Sequence, residues 1–498
     1  MDYVLAFLSL PLFITEDYLL ITALIPLLGA VIIFFTGKWS GVSNSIAVAS
    51  SVLLFTYTCL CALCWAYGDH SQFILMDFGN NLHISLKLEF TGVVFSLLIS
   101  FLWILTSIYA TCYMQSNYHD RNYSNFLCFF SISISCTMFI AFSGDLLTTF
   151  VFYELLTIST YPLVTYHGTN ESMIAGRYYF GVLLFSSLVL FFPVLGFLYN
   201  EFHTLDFVSS GIFKFDTSLT TFTAVCFAML IYGIGKAALM PMHFWLPKAM
   251  VAPTPVSALL HAVAVVKSGA FIIIKVILYT FGTNNLQRFV QQNWFAGGWL
   301  PYAAGFTIIA ASLIALKQKE LKKLLAYSTV SQLSYIILFA SIFSDLSAKV
   351  AVFQLVCHAF AKITLFFVAG SIITKTGEKY IDRIHGIGRS MPITMIAFTM
   401  GALSMIGVPP APTFWGKFLI FQAVFNSGST ALSIFVTFVL IVSTILNSMY
   451  FLPIIYNAFF SKSSKNFFIK KTPIFLVLPP AITAICTFAI FFGYQIIF

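Results

Sequence analysis

Six ionisable side chains stand inside apolar runs of this 498-residue chain: Glu154, Lys236, Lys267, Lys275, Lys362 and Lys417. One acid and several bases held away from water can hold a proton, pass it on and take it back. Two histidines join them. His261 and His358 each open a His-Ala dipeptide within an apolar stretch. His358 and Lys362 are four apart, which puts them on one face of a helix. His261 and Lys267 are six apart and align less well. Histidine titrates near neutral pH and suits a relay, although a satisfied structural histidine is the alternative at each position. A bis-histidine haem site lacks support, because no c-type attachment motif is present and nothing pairs the rings.

An ionisable group at the centre of a bilayer costs about 3 kcal/mol or more and by default marks a function. The competing explanation is that a lysine near a helix end reaches the headgroups. Glu154 lies roughly 12 Å into its apolar run at 1.5 Å per residue, and a glutamate is too short to reach back that far. Lys267 and Lys362 sit in the middle of theirs. Lys275 lies only a turn or two from a helix end, so snorkelling explains it as well as function does.

Lys236 and Lys417 stand beside helix breaks. Lys236 is followed by Met240-Pro241-Met242-His243-Phe244-Trp245-Leu246-Pro247, and Lys417 is preceded by Gly407-Val408-Pro409-Pro410-Ala411-Pro412-Thr413-Phe414-Trp415. Proline removes a backbone donor and clashes with the preceding turn. In a membrane the freed backbone groups must be satisfied by protein or a watery cavity. A simple kink explains the breaks at Pro241, Pro409, Pro410 and Pro412, but it leaves the lysines unexplained. Broken helices beside charges recur at ion sites of transporters.

The elements that position these groups follow from composition. The chain is 59% hydrophobic and 8% charged, against about 25% charged in a soluble domain. So few charges cannot cover a water-facing surface, which excludes a soluble protein. A spanning helix needs about 20 apolar residues. Such runs lie near 18–35, 43–66, 90–113, 125–142, 146–166, 178–199, 219–240, 255–281, 300–316, 325–343, 350–373, 391–425, 430–460 and 473–498. The expectation is an all-α polytopic membrane protein of about fourteen transmembrane helices, with helices seven and twelve broken. The polar stretch 72–87 is expected to form a small hairpin in a loop.

The loops test the count. Those numbered odd hold Lys38, Arg121, Arg177, Lys248, four basic residues from Lys317 to Lys323, four from Lys375 to Arg389 and four from Lys462 to Lys471. The even loops hold only Lys87, Lys214, Arg288 and Lys349. One missed or invented span would scramble this split. Under the positive-inside rule it places both termini on the non-cytoplasmic side of a bacterial plasma membrane or an organelle inner membrane. The N-terminus lacks the positive region of a cleavable signal, so the first span is expected to stay.

Several chemistries lack their residues. Cys59, Cys61 and Cys64 form a C-x-C-x-x-C string, but no flanking histidine or acid completes a metal site. No Gly-rich loop opens a helix and no cysteine cluster lies in a soluble region, so NADH, flavin and iron–sulfur have no place here. The expectation is no cofactor, no metal, no nucleic-acid partner and no active site of the chain's own.

A faint internal repeat links Pro241-Met242-His243-Phe244-Trp245 with Ala411-Pro412-Thr413-Phe414-Trp415. Five-helix units over 125–281 and 300–460 would have opposite topology, because five is odd, as in inverted repeats. The N-terminal helices 1–142 and a last helix at 473–498 would flank them.

At these residues the chain resembles the antiporter-like membrane subunits shared by respiratory complex I, Mrp-type cation/proton antiporters and membrane-bound hydrogenases. The signature runs from Gly235-Lys236-Ala237 through Trp245-Leu246-Pro247 to Ala252-Pro253-Thr254-Pro255 and His261-Ala262. The resemblance implies that Glu154 of helix five pairs with Lys236 of helix seven. It also implies that Lys267, His358, Lys362 and Lys417 continue the proton path, with other membrane subunits as partners. The M-type subunit of complex I usually carries Glu on helix twelve, where this chain has Lys417. The L-type carries a long lateral helix, and this chain ends at Phe498. Both features favour the D-type member of an Mrp antiporter, moving H+, with Na+, K+ or neither as the exchanged ion. A pump module of an NADH:quinone oxidoreductase and a non-transporting scaffold are the alternatives. In the expected mechanism, opening of the Glu154–Lys236 pair releases a proton toward Lys267 and onward through His358 and Lys362 to Lys417.

Overall fold

A computed structural model describes residues 17–118, 123–213, 216, 219–462 and 472–494. Fourteen helical spans carry it. They are α1 (Tyr18–Phe35), α2 (Ser40–Ala66), α3 (Phe90–Asn117), α4 (Ser124–Phe142), α5 (Leu146–Val164) and α6 (Asn170–Phe202). Next come α7 (Thr220–Gly233), α8 (Thr254–Phe281), α9 (Leu300–Leu316), α10 (Leu321–Ala340) and α11 (Asp345–Thr376). The last are α12a (Pro392–Ile406) with α12b (Thr413–Phe425), α13 (Thr430–Phe460) and α14 (Ile474–Phe492). Among the described residues, eleven helices are each long and apolar enough to cross a membrane. The other three spans are the 17-residue α9 and the interrupted helices seven and twelve. The chain is an integral, multi-pass membrane protein.

Helices outrun their apolar runs where a polar cap starts them. The Thr169 hydroxyl accepts from the Ser172 amide and begins α6 eight residues before the apolar stretch. Ser344 and Ser347 form a reciprocal capping box that begins α11 at Asp345. Hydropathy trims such ends, and headgroup-level turns stay helical regardless.

The polar stretch after α2 is an antiparallel hairpin, β1 (Gln72–Asp77) paired with β2 (His83–Lys87). It marks one face of the protein. Gly144, between α4 and α5, donates its amide to Ser85 O at 2.9 Å, and the Phe207 amide, between α6 and α7, donates to Gly144 O. The even loops thus meet under the hairpin. The odd loops meet on the opposite face, where the Leu321 amide donates to Lys379 O and the Gly386 amide to Asn457 O. This alternation is what the basic-residue split requires. Arg121, Lys214, Lys465, Lys470, Lys471, residues 1–16 and the end of the last span lie outside the described residues.

The cysteines are all free thiols. The core is densest around α8, α10 and α11, which are almost wholly buried, whereas α2 and α13 are mostly exposed. Helices shielded on every side are the ones that can hold charges away from both lipid and bulk water.

Candidate functional site

Helix seven stops at Gly233 and turns through a 3-10 segment, Gly235–Ala237, before reforming at Trp245. The Trp245 indole donates to Gly235 O at 3.2 Å, so the break satisfies its own backbone. Lys236 stands on this turn and is completely buried. Its Nζ donates to Tyr153 O and to Thr157 Oγ1 at 2.7 Å, both on α5, and lies over the Tyr153 ring. Glu154 is the next residue of α5. Its two carboxylate oxygens are buried without a hydrogen-bond donor, and no ion pair within 4 Å joins it to Lys236 among the described residues. The two groups expected to pair are neighbours seated apart.

The turn also abuts α8. A Cβ on Gly269 would lie 2.3 Å from the Ala237 amide nitrogen and 2.5 Å from the Lys236 carbonyl carbon. Real Cβ atoms never approach backbone so closely, so Gly269→Ala must push the Lys236 turn off α8. We expect this variant to lower the thermal stability of the purified protein, an overpacking cost of about 1–3 kcal/mol, and to slow any transport that crosses from α7 to α8. Unchanged melting would contradict the close approach.

Lys267 lies on α8 between two π-helical stretches, Leu259–Val263 and Val276–Phe281. Such insertions often mark functional sites. Its buried Nζ is 2.6 Å from His358 Nδ1 and donates to Leu355 O at 3.1 Å, which joins α8 to α11. Among the described residues, His358 Nε2 and both nitrogens of His261, which packs on the Phe366 ring, have no hydrogen-bond partner. Lys362 reaches α10, where it donates to Leu325 O at 2.8 Å and to the Ser328 hydroxyl. That end of α10 points to the lysine-rich face, where Lys322 donates to Ala252 O.

Lys417, at the start of α12b, donates to Ile406 O across the break and to Thr444 Oγ1 of α13, each at 2.7 Å. It lies 5.4 Å from the centroid of the Tyr335 ring. Helix seven ends at Gly233, ahead of Pro241, and the gap in helix twelve, from Gly407 to Pro412, contains Pro409, Pro410 and Pro412; the Met240–Pro241 and Pro409–Pro410 bonds are cis.

Two amides complete the arrangement. Gln354, one turn before His358 on α11, donates to Gln332 Oε1 at 3.1 Å, and Gln332 donates to Met405 O. A Cβ on Gly416, the neighbour of Lys417, would lie 2.8 Å from Gln354 Oε1. Gln354 therefore spans from the His358 side of α11 to the Lys417 end of α12b. Lys362 points the other way. Neither amide ionises, so charge alone does not single them out in the sequence; a glutamine in the buried middle of each of two spanning helices is the available signal.

Lys275 does not snorkel. It is wholly buried, donates to Ser143 O and lies 3.3 Å from Glu89 Oε2.

A model of the transmembrane family described as NADH:quinone oxidoreductase/Mrp antiporter matches residues 143–443. The chain is 30% identical over 365 residues to the N subunit of the NADH-quinone oxidoreductase of Desulforudis audaxviator, covering 73% of this chain and 70% of that one. It is 31% identical over 414 residues to the A/B subunit of a probable K(+)/H(+) antiporter of Rhizobium meliloti, covering 82% of this chain and 40% of that one. The chain spans about half the length of other curated relatives it matches. Its fold is that of a chain in the Mrp complex from Dietzia sp., with a TM-score of 0.82 at 18% identity over 97% of this chain and 95% of that one.

Proposed function

Because the chain belongs to the NADH:quinone oxidoreductase/Mrp antiporter transmembrane family, we propose that it is the proton-carrying, D-type member of a multisubunit cation/proton antiporter. The observation that carries this is the Lys267–His358 contact at 2.6 Å, buried between α8 and α11. It joins two halves, each with a broken helix that seats a lysine by a tyrosine ring, Lys236 by Tyr153 and Lys417 by Tyr335. That likeness supports two related five-helix units, 125–281 and 300–460. The proposed proton order runs through these buried groups in turn. From Glu154 and Lys236 it runs to Lys267 and His358, then along Gln354 to Lys417. Lys362 and His261 form a branch toward the lysine-rich face, which the positive-inside rule makes the cytoplasmic one. Water held by protein bridges the gaps.

A second reading, a pump module of an NADH:quinone oxidoreductase, is favoured by the 70% coverage of the oxidoreductase relative from Desulforudis audaxviator. Purifying the chain with its native partners separates the two. Small membrane subunits without flavin or iron–sulfur absorbance support the antiporter. Those absorbances in a stoichiometric complex overturn it in favour of the pump module.

A further inference from the structure

Glu89 immediately precedes α3 at the foot of the hairpin, and it is 9% exposed. Its carboxylate lies between two lysines. Oε2 is 3.3 Å from Lys275 Nζ and Oε1 is 3.2 Å from Lys87 Nζ. The three groups form a row from the interior to the surface: the Lys275 side chain is fully buried, that of Glu89 is 10% exposed and that of Lys87 is 27% exposed. Lys87 also donates to Phe207 O at 3.0 Å. The inner end is walled by the rings of Phe207, Phe271 and Tyr279, 4.3, 5.8 and 6.0 Å from Lys275 Nζ. Lys275 is on the same helix as Lys267, eight residues or about 12 Å along.

A structural ion pair needs one cation per carboxylate, and a buried pair is on average no more stabilising than apolar side chains in its place. Here one carboxylate serves two ammonium groups. With every group charged the row carries +1, and it can give up one proton and become neutral. The other titratable groups nearby have partners. Asp145 accepts from the Ser85 amide and hydroxyl and from the Thr148 amide and hydroxyl, and His83 Nε2 lies 2.9 Å from Asp206. Those contacts tie the hairpin to α5 and to the α6–α7 loop, and they leave Glu89 as the carboxylate facing the interior lysine.

We propose that the Lys275–Glu89–Lys87 row is the port through which protons pass between the buried path and the hairpin face. The port rests on the proton-path reading. In one passage Lys87 loses a proton to water on the hairpin face and Glu89 hands the Lys275 proton to the Lys87 amine. Lys275 then takes the next proton from the interior, so the row ends with the proton count it began with. The buried hydroxyls of Thr91 on α3 and Thr280 on α8, without a hydrogen-bond partner among the described residues, are further polar groups near the two ends of this row.

The test measures proton movement in vesicles containing the assembled complex, with Glu89→Gln, Lys275→Met, the double variant and Glu154→Gln side by side. Both single variants and the double are expected to slow transport at least about a hundredfold, the low end for losing a positioned proton-transfer group. The double variant is charge-balanced and similar in shape, so it assembles even where a single variant, left with an unpaired buried charge, does not. Recovery of the wild-type rate in the double variant overturns the port and makes the row a structural pair. A full rate in Glu89→Gln alongside an inactive Glu154→Gln also overturns it while leaving the proton path standing. A full rate in Glu154→Gln strikes the underlying path instead.

Discussion

Lys267→Met is expected to cut proton transport by about a hundredfold or more, the scale of losing a positioned proton-transfer group, while the complex still assembles. Methionine is close to lysine in length and shape, so α8 keeps its packing. The substitution removes a wholly buried amine whose contacts are His358 Nδ1 and Leu355 O. Removing the buried amine relieves its desolvation cost, against which stand the hydrogen bonds lost at His358 Nδ1 and Leu355 O, so stability should change by no more than about 1–3 kcal/mol. The loss is then in function.

The partner variant sharpens this. His358→Leu removes the other end of the same 2.6 Å contact. Groups that serve one step are not additive, so the double variant should transport no more slowly than the worse of the two singles. Rates measured by quenching of a pH-sensitive dye in inverted vesicles decide it. Full transport in Lys267→Met ends the proposed route. Strictly multiplicative losses place the two residues in separate steps and break the link between α8 and α11. Gln354→Leu should give a smaller loss, because an amide can bridge water but cannot store the proton.

Most of the spans were legible because hydrocarbon demands about 20 apolar residues at a time, and the hairpin because a polar stretch of that length cannot cross. The paths between spans were less legible. A linear reading treats a buried group as an ionisable residue inside an apolar run. Glu89 fails that test, since Lys87-Leu88-Glu89-Phe90 reads as loop, and only packing by the even loops buries it. Gln332 and Gln354 fail it because amides do not ionise. His358 and Lys362 do share a helix, but the sequence could not say which neighbour each would meet. Their contacts lead to different helices, α8 for His358 and α10 for Lys362. Tertiary direction, unlike periodicity, is not written in local spacing.

Glu154→Gln is expected to reduce transport about as severely as Lys236→Ala, although the two residues are not in contact here. The proposed switch gives Lys236 two seats on α5. One is the pair formed by Tyr153 O and the Thr157 hydroxyl, which it occupies. The other is the Glu154 carboxylate, one residue further along the helix and without a donor of its own. A carboxylate favours the ammonium form of lysine, whereas an apolar setting with neutral acceptors favours it less. Moving between the seats therefore changes how tightly the proton is held, and a cycle that visits both takes the proton up at one and gives it away at the other. Glu154→Gln keeps the shape and removes the charge, leaving two seats that differ little. Thr157→Val attacks the opposite seat. It removes one hydrogen bond to a charged group, about 1.5–3 kcal/mol, and shifts the lysine toward Glu154, where the proton is held too long. The expected result is a tenfold or greater slowing, about a factor of ten for each 1.4 kcal/mol, with Lys236 now within 4 Å of Glu154 in a structure of that variant. If Thr157→Val transports at the wild-type rate with Lys236 unmoved, the two seats are not the switch, and the proton must reach Lys267 without Lys236 changing partners.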